Sequence, residues 1–249
     1  MAEFDRPSVA AAPGAAVVDQ GLRSYMLRVY NYMGIGLVVT GLVAYFTYTA
    51  SFVEQAGHVV GLTAFGAAIF GTPLQWVVML APLAFVLVLS FGIQKLSVPV
   101  TQILFWAFAA VMGLSLSWIF AAYTMTSITQ VFFISAATFL AMSLYGYTTK
   151  RDLTQIGSFL MMGLIGIIIA SIVNIFLHSS GLSFAISIVG VLVFVGLTAW
   201  DTQKIKESYS VGFGADVLAK GAIMGALSLY LDFINLFLML LRLFGNQRN

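Results

Sequence analysis

The chain contains no cysteine. Disulfides, thiolate metal sites and cysteine nucleophiles are therefore excluded. Charge is almost as scarce. Asp, Glu, Lys and Arg make up 8% of the residues, against about 25% in soluble domains, which excludes a water-soluble globule. The formal net charge is only +2, and there is no basic run or aromatic–basic interleaving, so nucleic acid is not a partner. Two histidines occur, His58 and His178. Both fall in short connections, and neither stands beside a second ligand at metal spacing. GxSxG, HExxH and phosphate-cradling signatures are missing too. The start of the chain lacks the basic-then-apolar order of a cleavable signal peptide. Residues 1–20 are Ala-rich, mildly acidic and broken by Pro7, Pro13 and Gly14, and they read as a disordered tail.

What fills the chain is apolar: 61% of residues are hydrophobic and the mean hydropathy is +1.01. Runs near 20 apolar residues are the signal of a membrane span. Seven are present: Val29–Ala50, Leu74–Ile93, Val100–Ala122, Ile128–Tyr147, Ile156–Leu177, Leu182–Trp200 and Ala222–Phe244. The expected fold is all-α, a polytopic membrane protein of seven transmembrane helices. The division is a tail over 1–28, a transmembrane domain over 29–245 and a short tail over 246–249. Pro73 and Pro99 mark span starts, while Pro82 falls inside the second span, where it is placed to kink it. Nine of the 11 basic residues fall in the N-terminal tail and the connections after spans two, four and six; Arg242 and Arg248 are the other two. By the positive-inside rule the N-terminus is cytoplasmic and the C-terminus is on the far side. An odd number of spans requires the same arrangement.

Small residues suggest where helices approach closely. Gly163, Gly166 and Ala170 share a face of span five, with Asn174 further along it, and Gly221, Gly225 and Ser228 share one in span seven. The polar residues inside spans are more informative. Asp232 lies deep in the last span, where a carboxylate costs ~2.5–3.5 kcal/mol or more. Ser228, Asp232 and Asn235 are spaced i, i+4 and i+7, so they form one polar stripe that should face the bundle interior. Asp201 closes the sixth span in GLTAWDTQKIKE and shares a helical face with Ser187, Gly190, Phe194 and Thr198. Lys204, three residues on, can pair with it. Spans six and seven are consecutive and antiparallel. If the two aspartates meet, they cannot both ionise cheaply and would hold one proton between them. Against this, the predicted span ends leave the two residues ~10 Å apart in depth at ~1.5 Å per residue. Glu54 and Asp152 lie in connections and read as solvated. Asn174 reads as an interhelical hydrogen bond.

The stretch ALSLYLDFINLFLMLLRLFG, Ala226–Gly245, closely resembles the signature of the Bax inhibitor family, also called transmembrane Bax-inhibitor-motif proteins. AWDTQKIK, Ala199–Lys206, resembles the family's sixth-span ending. The resemblance runs from about residue 23 to 245, and the short tails are most similar to a bacterial-type member. It implies a central seventh helix wrapped by the other six, and a pH-sensitive calcium leak in the cell inner (plasma) membrane. Asp201 and Asp232 match the family's aspartate pair, the implied pH sensor and ion pathway. They would contact calcium only weakly and transiently, as a permeant ion; no cofactor is implied. Some bacterial members carry an arginine at the cytoplasmic end of span two that latches the sixth-span aspartate. Here that end reads SFGIQKLSV, so Gln94, Lys95 or Lys204 would have to serve.

Three function classes follow. One is the calcium leak gated at Asp201 and Asp232. A second is a non-conducting regulator of a membrane protease, a stress response or a cell-death factor, making contact through residues 1–28 and 201–221. The third, a two-aspartate intramembrane protease, is disfavoured. Its family has a glycine-aspartate motif at the second aspartate, whereas Trp200 precedes Asp201 and Leu231 precedes Asp232. The chain is therefore expected not to be an enzyme.

Overall fold

The computed structural model describes residues 13–55 and 58–248. The chain runs through α1 (Pro13–Ser51), a hairpin of β1 (Phe52–Gln55) and β2 (His58–Leu62), α2 (Ala64–Phe70), α3 (Leu74–Gly92), α4 (Val98–Leu116), α5 (Trp118–Ala122), α6 (Met125–Thr148), α7 (Thr154–Leu177), α8 (Ser180–Glu207) and α9 (Ala215–Phe244). Seven helical segments are long and apolar enough to cross a membrane: α1 from Gln20, α3, α4 continued by α5, α6, α7, α8 and α9. The fold is an all-α polytopic membrane fold, and each predicted span has its helix.

The sequence explains the helix ends. Thr124 and Ser179 cap α6 and α8, accepting bonds from Ser127 N and Leu182 N, groups that would otherwise be orphaned in the first turn. His178 ends α7 in the left-handed region at φ 49°. The Asn174 side chain holds the turn that follows, donating to Ser183 Oγ at 2.7 Å and accepting from Ser179 N at 3.1 Å. Asn174 thus makes the interhelical bond expected of it.

Two segments differ from the sequence reading. Residues 13–28, assigned to a disordered tail, belong to α1. Proline is tolerated in a first helical turn, where its missing N–H bonds nothing, and Ala15 and Ala16 favour helix. The reading for residues 1–12 lies outside the described residues. The connection after the first span also holds an antiparallel hairpin. Its Phe52 ring stacks between Tyr48 and Phe70 at 5.4 and 5.6 Å.

The most buried span is α9: 72% of its most apolar stretch is covered, against 6% for α7. It packs chiefly on α8, α1, α6 and α4, while α3 and α7 meet the bundle mainly through α4 and α8. Tyr230 anchors it. The ring meets Phe108 edge-on at 5.1 Å, and the hydroxyl lies 2.7 Å from Thr40 Oγ1, which donates to Ala109 O. Gly36 abuts Phe105 and Tyr230, Gly113 abuts Thr40, and Gly221 abuts Tyr25. These pairs make α1 parallel to both α4 and α9. The start of α1 and the end of α9 therefore lie at opposite ends of the bundle. Phe91 and Phe176 on the outside are 82% and 80% exposed, which suits a lipid-facing surface.

Candidate functional site

The site begins with a carboxyl on the most buried helix. Asp232 is only 5% exposed. The antiparallel packing of α8 on α9 decides what it meets. Gly190 rests against the Met239 side chain and Gly225 against Ile205. In that register Asp201 is level with Leu229, about one helical turn from Asp232. The two carboxyls meet as side-chain hydrogen-bond partners. The depth mismatch expected from the predicted span ends shrinks to about one helical turn, which two side chains can span, because the outer ends of the two helices are not level: α8 begins beyond the residue that faces the end of α9.

The chemistry of this contact is constrained. Asp232 Oδ2 is buried with no donor facing it among the described residues. Ionised carboxylates only accept, so two of them in contact are satisfied only when one carries a proton. A buried pair in contact therefore needs at least one proton to be hydrogen-bonded.

A chain of hydroxyls runs beside Asp201. Thr202 Oγ1 donates to Thr198 O at 2.7 Å, so it must accept from Ser143 Oγ, 3.0 Å away. Ser143 must then accept from Tyr30 OH at 2.6 Å. These bonds tie α1, α6 and α8 together at the level of the pair. One residue on, Gln203 is buried and bridges two backbone groups of the α6–α7 connection, accepting from Leu153 N at 2.8 Å and donating to Arg151 O at 2.9 Å. The spacing of Thr198, Asp201 and Thr202 on one helical face is a signal for this cluster that the sequence reading used only in part. Nothing in the sequence pointed to Ser143 or Tyr30.

The other residues singled out from the sequence take different places. Ser228 and Asn235 are half-buried on the face of α9 that carries Asp232, and the Asn235 amide donates to Leu231 O within its own helix at 2.8 Å. Gln94 and Lys95 are exposed in the turn after α3. That turn is held by Lys220, whose Nζ donates to Ile93 O at 3.1 Å. Among the three latch residues, Lys204 is the one whose charge acts on Asp201; its ammonium also lies 5.0 Å over the Trp200 ring. Among the described residues no three His, Asp or Glu side chains gather at one place. Calcium takes six to eight oxygens, more than two carboxyls supply.

At the other end of the bundle, Glu54 is not simply solvated. It pairs with Arg248 and accepts from the Tyr48 hydroxyl. Its carboxyl is held below the usual carboxylate range by the Tyr48 hydroxyl first and by Arg248 next. The Arg248 guanidinium also bonds Tyr48 OH at 2.8 Å and Tyr123 O at 3.2 Å. Backbone bonds from Thr124 N to Asn246 O and from Arg248 N to Ala122 O, each 3.0 Å, strap the C-terminal residues to the bundle. Asp152 is exposed, as read, and accepts from Thr154 N at 2.8 Å.

Comparison with known proteins identifies the family of the chain. Residues 22–249 match the family described as "Inhibitor of apoptosis-promoting Bax1". The inner membrane protein YbhL of Escherichia coli (strain K12) is 47% identical over 250 residues, covering 100% of both chains. An uncharacterised protein of Rickettsia prowazekii is 51% identical over 231 residues, 93% of each chain. An uncharacterised membrane protein of Streptococcus pyogenes is 37% identical over 231 residues, 92% of this chain and 95% of its own.

Proposed function

The chain belongs to the family of inhibitors of apoptosis-promoting Bax1, and from that premise we propose that it is a pH-sensitive calcium leak of the inner membrane, gated by protonation of Asp201 and Asp232. The observation that supports this most is the meeting of two carboxyls from α8 and α9 with no other donor at Asp232 Oδ2. With one proton the pair bonds the two helices. Removing that proton leaves two like charges in contact within a medium of low dielectric, which favours separation of the helices and attracts a cation. Permeation requires that the ion also leave, and a site of two carboxylates binds calcium weakly enough for that. The start of α1 is assigned to the cytoplasm on the charge bias, and the name of the Escherichia coli relative supports the inner membrane. The chain acts without a cofactor and is not an enzyme.

The test is calcium flux in proteoliposomes across a pH series for the parent, Asp201→Asn and Asp232→Asn. The parent should conduct with a pH dependence that either variant shifts or removes. A folded parent that conducts at no pH rules the leak out. A second reading, a non-conducting regulator of a membrane protein, is favoured by the family's description as an inhibitor. It requires partner contact through the N-terminal residues or the 201–221 connection, and deleting residues 1–12 should then abolish a cellular phenotype while leaving flux intact.

A further inference from the structure

We propose that the groove between α1 and α4, at the end of the bundle where α1 enters, binds the phosphate headgroup of an acidic glycerophospholipid. The groove has a volume of about 660 Å³ and is lined by Arg23, Arg28, Asn31, Gln102, Ile35 and Trp106, among others. These residues are sorted by depth. Gly36 abuts Phe105 and Gly113 abuts Thr40, a parallel register that puts Arg28 level with the first residues of α4. The arginines and Asn31 therefore stand at the rim, where α4 begins, and Ile35 and Trp106 lie further down the spans. A cationic rim over an aromatic and aliphatic wall matches a phosphate joined to acyl chains. Trp106 approaches Tyr32 at 5.7 Å, giving the wall a flat aromatic face below the rim against which an acyl chain can lie.

Charge complementarity selects the acidic lipid. Arg23 and Arg28 are exposed, and the ion pair found among the described residues, Arg248 with Glu54, is at the opposite end of the bundle. Arg28 lies one helical turn from Asn31 in the same groove, so it is the principal cation. A guanidinium presents a planar fork that bonds two phosphate oxygens at once. Asn31 and Gln102 add amide donors within the same groove, suited to glycerol hydroxyls and ester oxygens. The site is independent of the Asp201–Asp232 pair, so its test does not depend on whether the protein conducts.

The experiment is native mass spectrometry of the full chain in detergent, offered an equimolar mixture of phosphatidylglycerol and phosphatidylcholine. The parent should retain phosphatidylglycerol preferentially. Arg28→Gln should lower that occupancy about fivefold, the worth of one basic residue at an anionic surface, while Lys150→Gln, a basic residue outside the groove, should leave it unchanged. Size-exclusion profiles matching the parent establish that Arg28→Gln is folded; should it fail, Arg23→Gln and Gln102→Leu read out the same groove. Glycerol 3-phosphate, which has the headgroup chemistry without acyl chains, should not displace the lipid. Equal retention of the two lipids, or unchanged retention in the groove variants, overturns the proposal. Displacement by glycerol 3-phosphate at comparable concentration overturns it in favour of a soluble phosphate ligand.

Discussion

Substituting Gly146 with alanine should separate α6 from α8 at the level of the carboxyl pair. A methyl group at Gly146 would stand 2.1 Å from Ala199 O and 2.9 Å from Ala199 Cα, whereas non-bonded heavy atoms settle near 3.5–4.0 Å. The atoms in the way are backbone, so no rotamer change relieves the clash, and the helices must part by about 1 Å. The Ser143–Thr202 bond, one turn earlier on α6, is already 3.0 Å long and would be lost. Overpacking costs about 1–3 kcal/mol and a hydrogen bond about 0.5–1.5 kcal/mol, so Gly146→Ala should lose roughly 2–4 kcal/mol of stability. Thermal unfolding of purified protein in one detergent measures this. Gly34→Ala and Gly166→Ala are the controls. A methyl group at either meets nothing within 4 Å, and replacing a mid-helix glycine should be neutral or stabilising by up to about 1 kcal/mol. If Gly146→Ala unfolds at the parent's temperature, the tight α6–α8 contact and the packing derived from it are refuted.

Three further outcomes are expected. Tyr230→Phe removes the hydroxyl that meets Thr40 at 2.7 Å and should cost about 0.5–1.5 kcal/mol, since Thr40 keeps Ala109 O as a partner; the unfolding midpoint checks it. Gln203→Leu strands Leu153 N–H and Arg151 C=O at about 1–3 kcal/mol for each group that stays buried. Hydrogen exchange should rise at residues 151–154 in that variant before it rises elsewhere. Glu54 has its carboxyl held low by Tyr48 and then Arg248, so its stabilising contribution is present above the unfolded-state value and is lost as pH falls through the folded-state value. Limited proteolysis at the C-terminal residues should accelerate as pH falls through the carboxylate range, and Arg248→Ala should remove that pH dependence.

The spans were legible because a bilayer imposes a length and a composition that few other environments require. The two aspartates were legible for the same reason: a carboxyl in an apolar run stands out whatever it touches. What they touch was not legible. The meeting of Asp201 and Asp232 depends on the axial offset of α8 and α9, and that offset is set by side-chain fits such as Gly190 on Met239. Small-residue stripes were an uneven guide. Gly163, Gly221 and Gly225 do lie against neighbours, yet Gly166 faces open space. Close approaches also include Gly146 on Ala199 and Gly113 on Thr40, glycines that the sequence reading did not single out. The hairpin after α1 and the Arg248–Glu54 pair involve connection residues whose polarity alone suggested solvation. The hydroxyl chain from Tyr30 to Thr202 joins residues far apart in sequence on three helices, so only the folded arrangement brings it together.

The central claim is that Asp201 and Asp232 work as one proton-holding unit, and a double-mutant cycle on pH-dependent calcium flux tests it most directly. Parent, Asp201→Asn, Asp232→Asn and the double variant are compared in proteoliposomes of one composition. If the pair is a unit, each single substitution shifts or removes the pH dependence, the double variant removes it, and the combined effect is not the sum of the two. If the effects of the two substitutions add, or if pH dependence survives in the double variant, the aspartates do not form the sensor and the account is contradicted.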